Sequence, residues 1–69
     1  MPGELGPIAE LLTKILGYSV DPTGLEQDTR ESKLDMLLKG VNAAIDQKDG
    51  AACNQLFAAY RELRQKTGP

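Results

Sequence analysis

The stretch of residues 44–60, "AIDQKDGAACNQLFAAY", holds the single cysteine of the chain and joins two runs of hydrophobic residues. Ile45 ends the first run and Cys53 begins the second, with only "DQKDGAA" between them. Polar and small residues around an Asp-Gly pair are typical of a short connection between two helices. We therefore predict a tight turn at residues 48–50, in which Asp49 caps the following helix.

The same stretch does not fit an EF-hand calcium loop. That loop needs oxygen ligands at alternate positions before a central glycine, and a Glu at its end. Aligning Gly50 with the central glycine puts Ile45 at the first ligand position and leaves no Glu at the end. The sequence therefore predicts a turn without a metal.

Hydrophobic residues recur at three- and four-residue intervals along the chain, which predicts helices rather than strands. We predict helix one over about residues 7–16, helix two over about 28–47 and helix three over about 50–66. Their hydrophobic stripes are Ile8, Leu11, Leu12, Ile15 and Leu16; then Leu34, Leu37, Leu38, Val41 and Ile45; then Cys53, Leu56, Phe57, Tyr60 and Leu63. We expect these stripes to be buried, together with Tyr18 and Val20.

Residues 17–27 form the predicted turn and polar linker between helix one and helix two. The segment "DPTG", residues 21–24, matches a type I turn, with Asp first, Pro second and Gly fourth. The polar run "EQDTRESK", residues 26–33, fits either a solvated loop or the first turns of helix two. Asp28 and Glu31 have the spacing of a capping pair, so we predict that helix two begins near Asp28.

The three predicted helices make one all-α domain over residues 1–69, a short amphipathic helix followed by a longer antiparallel helical hairpin. A hairpin cannot bury both of its stripes alone, and a core of this size seldom supplies more than about 3–5 kcal/mol. An internal disulfide is excluded by the single cysteine, and a Cys-His zinc site by the absence of histidine. We therefore predict a dimeric helical bundle, with helix one either folded back on the hairpin or reaching the other subunit.

Gly40 lies inside predicted helix two, where glycine costs about 1 kcal/mol relative to alanine. That cost is acceptable where another backbone approaches closely, so we predict that a helix crosses at or near Gly40. A glycine that is merely tolerated is the alternative.

The composition argues against catalysis. The chain has no histidine, the side chain most often used as a general acid or base near neutral pH. The sequence also lacks paired catalytic carboxylates, a glycine-rich phosphate loop and a cluster of metal ligands. We therefore predict a protein that is not an enzyme and that has no cofactor and no metal.

Charge and N-terminal sequence bound the partners and the location. The net charge is −2 with acidic and basic residues interspersed, which disfavours nucleic-acid binding. The N-terminus lacks the basic region of a signal peptide, and Glu10 and Lys14 interrupt the apolar stretch that follows, so we predict no membrane span. A lone cysteine is typical of a reducing compartment, and we predict a cytoplasmic protein.

Two groups of side chains are candidate sites. Cys53 fits core packing, a reactive thiol near a helix N-terminus, or an intermolecular role. A basic patch near the C-terminus fits either a solvated helix end or contacts with an anionic ligand. The basic patch consists of Arg61, Arg64 and Lys66, and an acidic patch that lies near it in a hairpin consists of Glu26, Asp28, Glu31 and Asp35.

We consider three hypotheses for the function of the protein. The leading one is a small non-catalytic protein–protein interaction module, an adaptor or inhibitor that occludes a partner protein, with the size typical of accessory proteins of phages and mobile elements. The second is a self-assembling structural or morphogenetic component, and the third is a binder of a small anionic ligand between subunits.

The predicted partners are a second copy of the chain and another protein. The segment "LTKIL", residues 12–16, resembles the LxxLL type of groove-docking motif, although leucines at this spacing are also typical of a core. The predicted partner or oligomer interface consists of Ile8, Leu11, Leu12, Ile15, Leu16, Gly40 and Tyr60.

Overall fold

The computed structural model describes residues 5–65, and the regular structure in that range is helical, with no strand. This confirms the all-α prediction. The four helices are α1 (Gly6–Leu16), α2 (Pro22–Gln27), α3 (Arg30–Asp46) and α4 (Gly50–Gln65). Helices α3 and α4 pack closely against each other, and α1 packs against α2, α3 and α4.

Helix α1 begins and ends where its sequence signals indicate. Pro7 stands in its first turn, where the missing N–H of proline needs no partner. Gly17 follows the last residue in a left-handed conformation, with a φ of 83°, and its N–H donates to the carbonyl of Thr13. The Thr13 hydroxyl donates to the carbonyl of Ala9 and accepts a hydrogen bond from the N–H of Val20 at 2.9 Å, which holds the chain as it leaves the helix.

A short helix, α2, occupies most of the segment for which the sequence predicted a turn and a polar linker, so that prediction was wrong for residues 22–27. The Asp21 carboxylate accepts hydrogen bonds from the N–H groups of Thr23 and Gly24 at 3.3 and 3.2 Å, and Pro22 begins the helix. The two central residues of a type I turn have helical dihedral angles, so the same four residues can start a helix. The helix continues because Leu25 is buried, with 3% of its surface exposed.

Helix α3 begins two residues later than predicted, and its cap is a different residue. The Thr29 hydroxyl accepts a hydrogen bond from the N–H of Ser32 at 3.1 Å. Asp28 instead ends α2, so the predicted capping pair of Asp28 and Glu31 was wrong. The polar run of residues 26–33 is therefore the end of one helix, a two-residue break and the start of the next.

The connection between α3 and α4 is the tight turn expected from the sequence. Lys48 adopts a left-handed conformation with a φ of 58°. Asp49 accepts a hydrogen bond from the N–H of Ala52 at 3.1 Å, which confirms its predicted capping role. Gln47 donates from its side-chain amide to the carbonyl of Ile15 at 2.7 Å, and so ties this connection to the end of α1.

The core forms where α1 lies over α3 and α4. Leu12 of α1, Leu37 of α3 and Leu56 of α4 are the largest fully buried side chains. A Cβ atom added to Gly40 would overlap the side chain of Leu12 and lie 2.9 Å from Cδ1 of Leu56. Two helices therefore approach α3 at Gly40, which confirms the predicted crossing, with leucine side chains rather than backbone filling the space.

Several members of the predicted core are exposed. Leu38, Ile45 and Phe57 keep 39%, 57% and 46% of their surface exposed, and Tyr18 keeps 51%. Leu25 and four small residues are buried instead, and the small residues let the helices approach closely. The buried residues that the stripes did not include are Ala9, Leu25, Gly40, Ala44 and Ala52.

Candidate functional site

The exposed apolar residues of α3 form a row along one side of the helix. Leu34, Leu38 and Ile45 are separated by four and seven residues, which places them on one face. Leu38 and Ile45 are exposed, and Leu34 is half-buried. Leu38 follows the fully buried Leu37 by one residue, so it lies about 100° around the helix from the core.

A second row runs along α4. The rings of Phe57 and Tyr60 stack with their centroids 6.3 Å apart and their planes 16° from parallel. The guanidinium carbon of Arg64 lies 5.9 Å from the centroid of the Tyr60 ring, on the side of the helix to which these rings belong. The exposed Phe57 and Arg64 and the half-buried Tyr60 are of the residue types most enriched at the centres of protein–protein interfaces, aromatic residues and Arg.

Charged residues border both rows. Glu31 and Asp35 are exposed on α3, and Arg61 and Arg64 are exposed on α4. Asp35 contacts Lys39 at 3.7 Å, but both side chains are more than half exposed, so this ion pair contributes little to stability. These charged side chains therefore lie on the exposed surface beside the rows.

The interface predicted from the sequence divides between the core and the surface. Leu12, Ile15 and Gly40 are buried inside the chain itself, and the first two form the inward side of the "LTKIL" segment. The other four predicted residues, Ile8, Leu11, Leu16 and Tyr60, are half-buried. Of these, only Tyr60 belongs to one of the two exposed rows.

The predicted anion contacts are placed only in part. Arg61 and Arg64 lie on the exposed surface near the end of α4, three residues apart. Lys66 lies outside the described residues. The proposed use of these cations for a small anionic ligand stays a prediction.

Cys53 is a free thiol on α4, half-buried against two groups of core residues, one that includes Leu12, Leu37 and Leu56 and one that consists of Ile15, Ala44 and Ala52. That position agrees with core packing. The reactive and intermolecular alternatives stay predictions.

A shallow groove of about 240 Å³ lies beside α2. The Tyr18 hydroxyl reaches across it towards the sulfur of Met36 at 3.9 Å. The groove also contains the carboxylates of Asp21 and Asp28, but Asp21 is already bonded to the first turn of α2. The hydrophobic pattern gives no sign of this groove, because it predicts that Tyr18 is buried in the core.

Within residues 5–65, no three His, Cys, Asp or Glu side chains are grouped as a metal site requires. Over the same residues, no helix has the length and apolarity needed to cross a bilayer. Comparison of the chain with protein families, with curated proteins and with solved structures gave no match in any of the three.

Proposed function

We propose that this chain is a small non-catalytic protein-interaction module that binds a partner protein through the exposed rows of α3 and α4. The observation that carries the proposal is the exposure of three large apolar side chains, Leu38, Ile45 and Phe57, on the two helices that pack most closely. Single exposed apolar residues are common on proteins, whereas a continuous apolar face is typical of an interaction site. The proposal therefore depends on the two rows forming one face.

The row on α3 has a defined position around the helix relative to the core. Successive residues of a helix advance by about 100°, which fixes the order of side chains around its axis. Gly40, which the side chains of Leu12 of α1 and Leu56 of α4 both cover, lies about 60° to one side of the buried Leu37. Ile45 and Leu38 lie about 80° and 100° to the other side of Leu37. We infer that the row on α3 points away from α1.

The position of the row on α4 follows from the direction of that helix relative to α3. We infer that α3 and α4 form the antiparallel hairpin expected from their three-residue connection. Around α4, the buried Leu56 is followed by the half-buried Tyr60 and then by the exposed Phe57. Viewed from one end of the pair, the order of side chains runs clockwise around one antiparallel helix and anticlockwise around the other. The order from Leu56 to Phe57 on α4 therefore leads to the same side of the pair as the order from Leu37 to Leu38 on α3, away from α1. Both rows then belong to one interaction face, which consists of Leu34, Leu38, Ile45, Phe57 and Tyr60.

The core closes without this face. Leu12, Leu37 and Leu56 are buried around Gly40 within the chain, so the exposed row residues are not needed to fill the interior. Binding through such a face needs no reaction step, and it acts by covering part of the partner's surface. This supports an adaptor or an inhibitor that works by occlusion, and a self-assembling component is the alternative use of the same face.

The test is capture of partner proteins from the source cell by the full chain and by variants of the face. Leu38→Glu and Phe57→Glu put a carboxylate into the face at positions already partly exposed, so we expect folded proteins that no longer capture the partner. Ala58→Glu is the matched control, because Ala58 is exposed on α4 about 160° from the inward direction of Leu56. Capture that is unchanged in the two face variants and in the control would contradict the proposal.

A further inference from the structure

We propose that the interaction face is covered by a second copy of this chain, related by a twofold axis parallel to α3 and α4, so that α4 of each copy lies on α3 of the other. This inference rests on the proposed function, since it uses the same face, and it names the occupant and its orientation. The support comes from the register of the two helices and from the charges that border the face.

The register follows from contacts in the core. Ala44 clusters with Ala52, and Gly40 lies beside Leu56. Moving four residues towards the N-terminus of α3, from Ala44 to Gly40, therefore matches moving four residues towards the C-terminus of α4, from Ala52 to Leu56. This is the relation expected for antiparallel helices. Continued at the same rise per residue, Asp35 is level with Arg61.

Near the N-terminal end of α3 and the C-terminal end of α4, the two helices carry opposite charges on their exposed sides. The exposed side of α3 carries Glu31 and Asp35, and the exposed side of α4 carries Arg61 and Arg64 at the same level. Glu31, Asp35 and Arg61 flank the apolar rows, like the charged positions that decide orientation in coiled coils, whereas Arg64 lies between Tyr60 and Phe57 in the order around α4. A partner surface that fits the face must therefore offer cations opposite α3 and carboxylates opposite α4.

A second copy supplies this pattern in one orientation. Rotation by 180° about an axis parallel to the helices places α4 of one copy over α3 of the other. Every residue keeps its height along the direction of the helix axes. Arg61 and Arg64 of each copy then face Asp35 and Glu31 of the other copy. The same rotation brings the Phe57 ring of one copy close to the level of Leu38 in the other, so apolar residues meet between the charged borders.

The other twofold orientation does not match the charges. With the axis perpendicular to the helices, α3 lies on α3 of the second copy in the opposite direction. If the midpoints of the two α3 helices lie opposite each other, Glu31 then approaches Asp46 of the second copy, and Arg61 is level with Asn54 of the second copy rather than with a carboxylate. Like charges placed directly opposite are destabilising, so the parallel axis is favoured.

The experiment uses two charge-reversed full-length chains. One carries Arg61→Glu and Arg64→Glu, and the other carries Glu31→Arg and Asp35→Arg. Sedimentation equilibrium is run over a hundredfold range of concentration on the original chain, on each variant and on their equal mixture. We expect the original chain to dimerise, each variant alone to self-associate about tenfold more weakly or worse, and the mixture to regain dimers.

The mixture separates contacts between copies from contacts within one chain. A variant that is weakened only by repulsion inside its own chain stays weakened after mixing, whereas opposite variants attract each other across the proposed interface. A chain with all four substitutions, which keeps the original composition of charges, is the control and should dimerise like the original. Circular dichroism at each step shows whether the helices are retained.

The inference is overturned if the original chain is monomeric over the whole hundredfold range of concentration. It is also overturned if the equal mixture of the two variants forms no dimers. If Leu38→Glu and Phe57→Glu abolish capture of another protein while the original chain is monomeric, the proposed function stands and the second copy is wrong. If the mixture regains dimers and the face variants keep their captured partners, the second copy is supported and the other protein binds elsewhere.

Discussion

Gly40 is the residue on which the packing depends most directly. Alanine is the better helix former by about 1 kcal/mol, yet a Cβ at Gly40 would meet two buried leucine side chains. The cost of glycine in the helix is offset by the close approach of α1 and α4. Leu12 occupies the space that a side chain at residue 40 would need.

We expect Gly40→Ala to lower the free energy of unfolding by about 1–3 kcal/mol, because overpacking forces Leu12 or Leu56 to move. Chemical denaturation followed by circular dichroism measures the change. Gly50→Ala is the matched control, since a Cβ there meets nothing within 4 Å. It should leave stability unchanged or raise it by up to about 1 kcal/mol. Equal effects of the two substitutions would contradict the packing argument.

Residue spacing predicts a stripe but does not say which part of it touches another helix. Leu37 and Leu38 are neighbours in one stripe, and the first is buried while the second is 39% exposed. The contact is decided by small residues such as Gly40 and Ala44, whose size permits close approach but gives no hydrophobic signal of its own. This is why the sequence predicted the crossing at Gly40 but not the exposure of Leu38 and Phe57.

At the scale of elements, the helix ends were predicted best where a side chain gives a direct signal. Asp49 caps α4 as expected, and Gly17 ends α1 in a left-handed conformation, because a left-handed glycine and a capping carboxylate depend only on local chemistry. Helix α2 was missed because its start also fits a type I turn. Its single buried residue, Leu25, gives no periodicity in a helix of six residues.

We expect Asp49→Ala to destabilise the chain by about 1 kcal/mol, because the N–H of Ala52 loses its acceptor at the start of α4. Asp49→Asn keeps an acceptor oxygen at the same place and should retain most of the stability. Thermal unfolding of the two variants side by side makes the comparison. A loss of similar size in both would show that the charge, not the cap, matters.

Helix α2 is expected to contribute to the core through one side chain. Leu25→Ala should lower the free energy of unfolding by about 2–4 kcal/mol, because Leu25 is 3% exposed and belongs to the same core cluster as Leu12, Leu37 and Leu56. Leu25→Met conserves most of the volume and should cost less than about 1.5 kcal/mol. Denaturant unfolding measures both, and a small effect of Leu25→Ala would mean that α2 is not part of the cooperative core.

At the scale of the whole molecule, the sequence predicted the class of fold and the presence of surplus apolar surface. It placed much of that surface on α1, whereas the structure buries Ala9, Leu12 and Ile15 of α1 and exposes the rows on α3 and α4. The order in which helices cover one another depends on contacts between distant residues. Hydrophobic spacing within each helix carries no information about that order.

If a second copy covers the interaction face, association and folding are linked by mass action. We expect the midpoint of thermal unfolding to rise with protein concentration for the original chain. Phe57→Glu should remove this dependence while it leaves the helical content at low concentration unchanged. A concentration-independent midpoint in the original chain would contradict the linkage. Differential scanning fluorimetry or circular dichroism over a hundredfold range is sufficient.

The hydrogen bond from Gln47 to the carbonyl of Ile15 has a further consequence for how the chain opens. Release of α1 breaks this bond, withdraws Leu12 from Gly40 and uncovers Leu37 and Leu56 together. Local opening of α1 should therefore cost nearly as much as complete unfolding. Its buried amides are expected to exchange with solvent deuterium at the same slow rate as those of α3, as members of one cooperative unit.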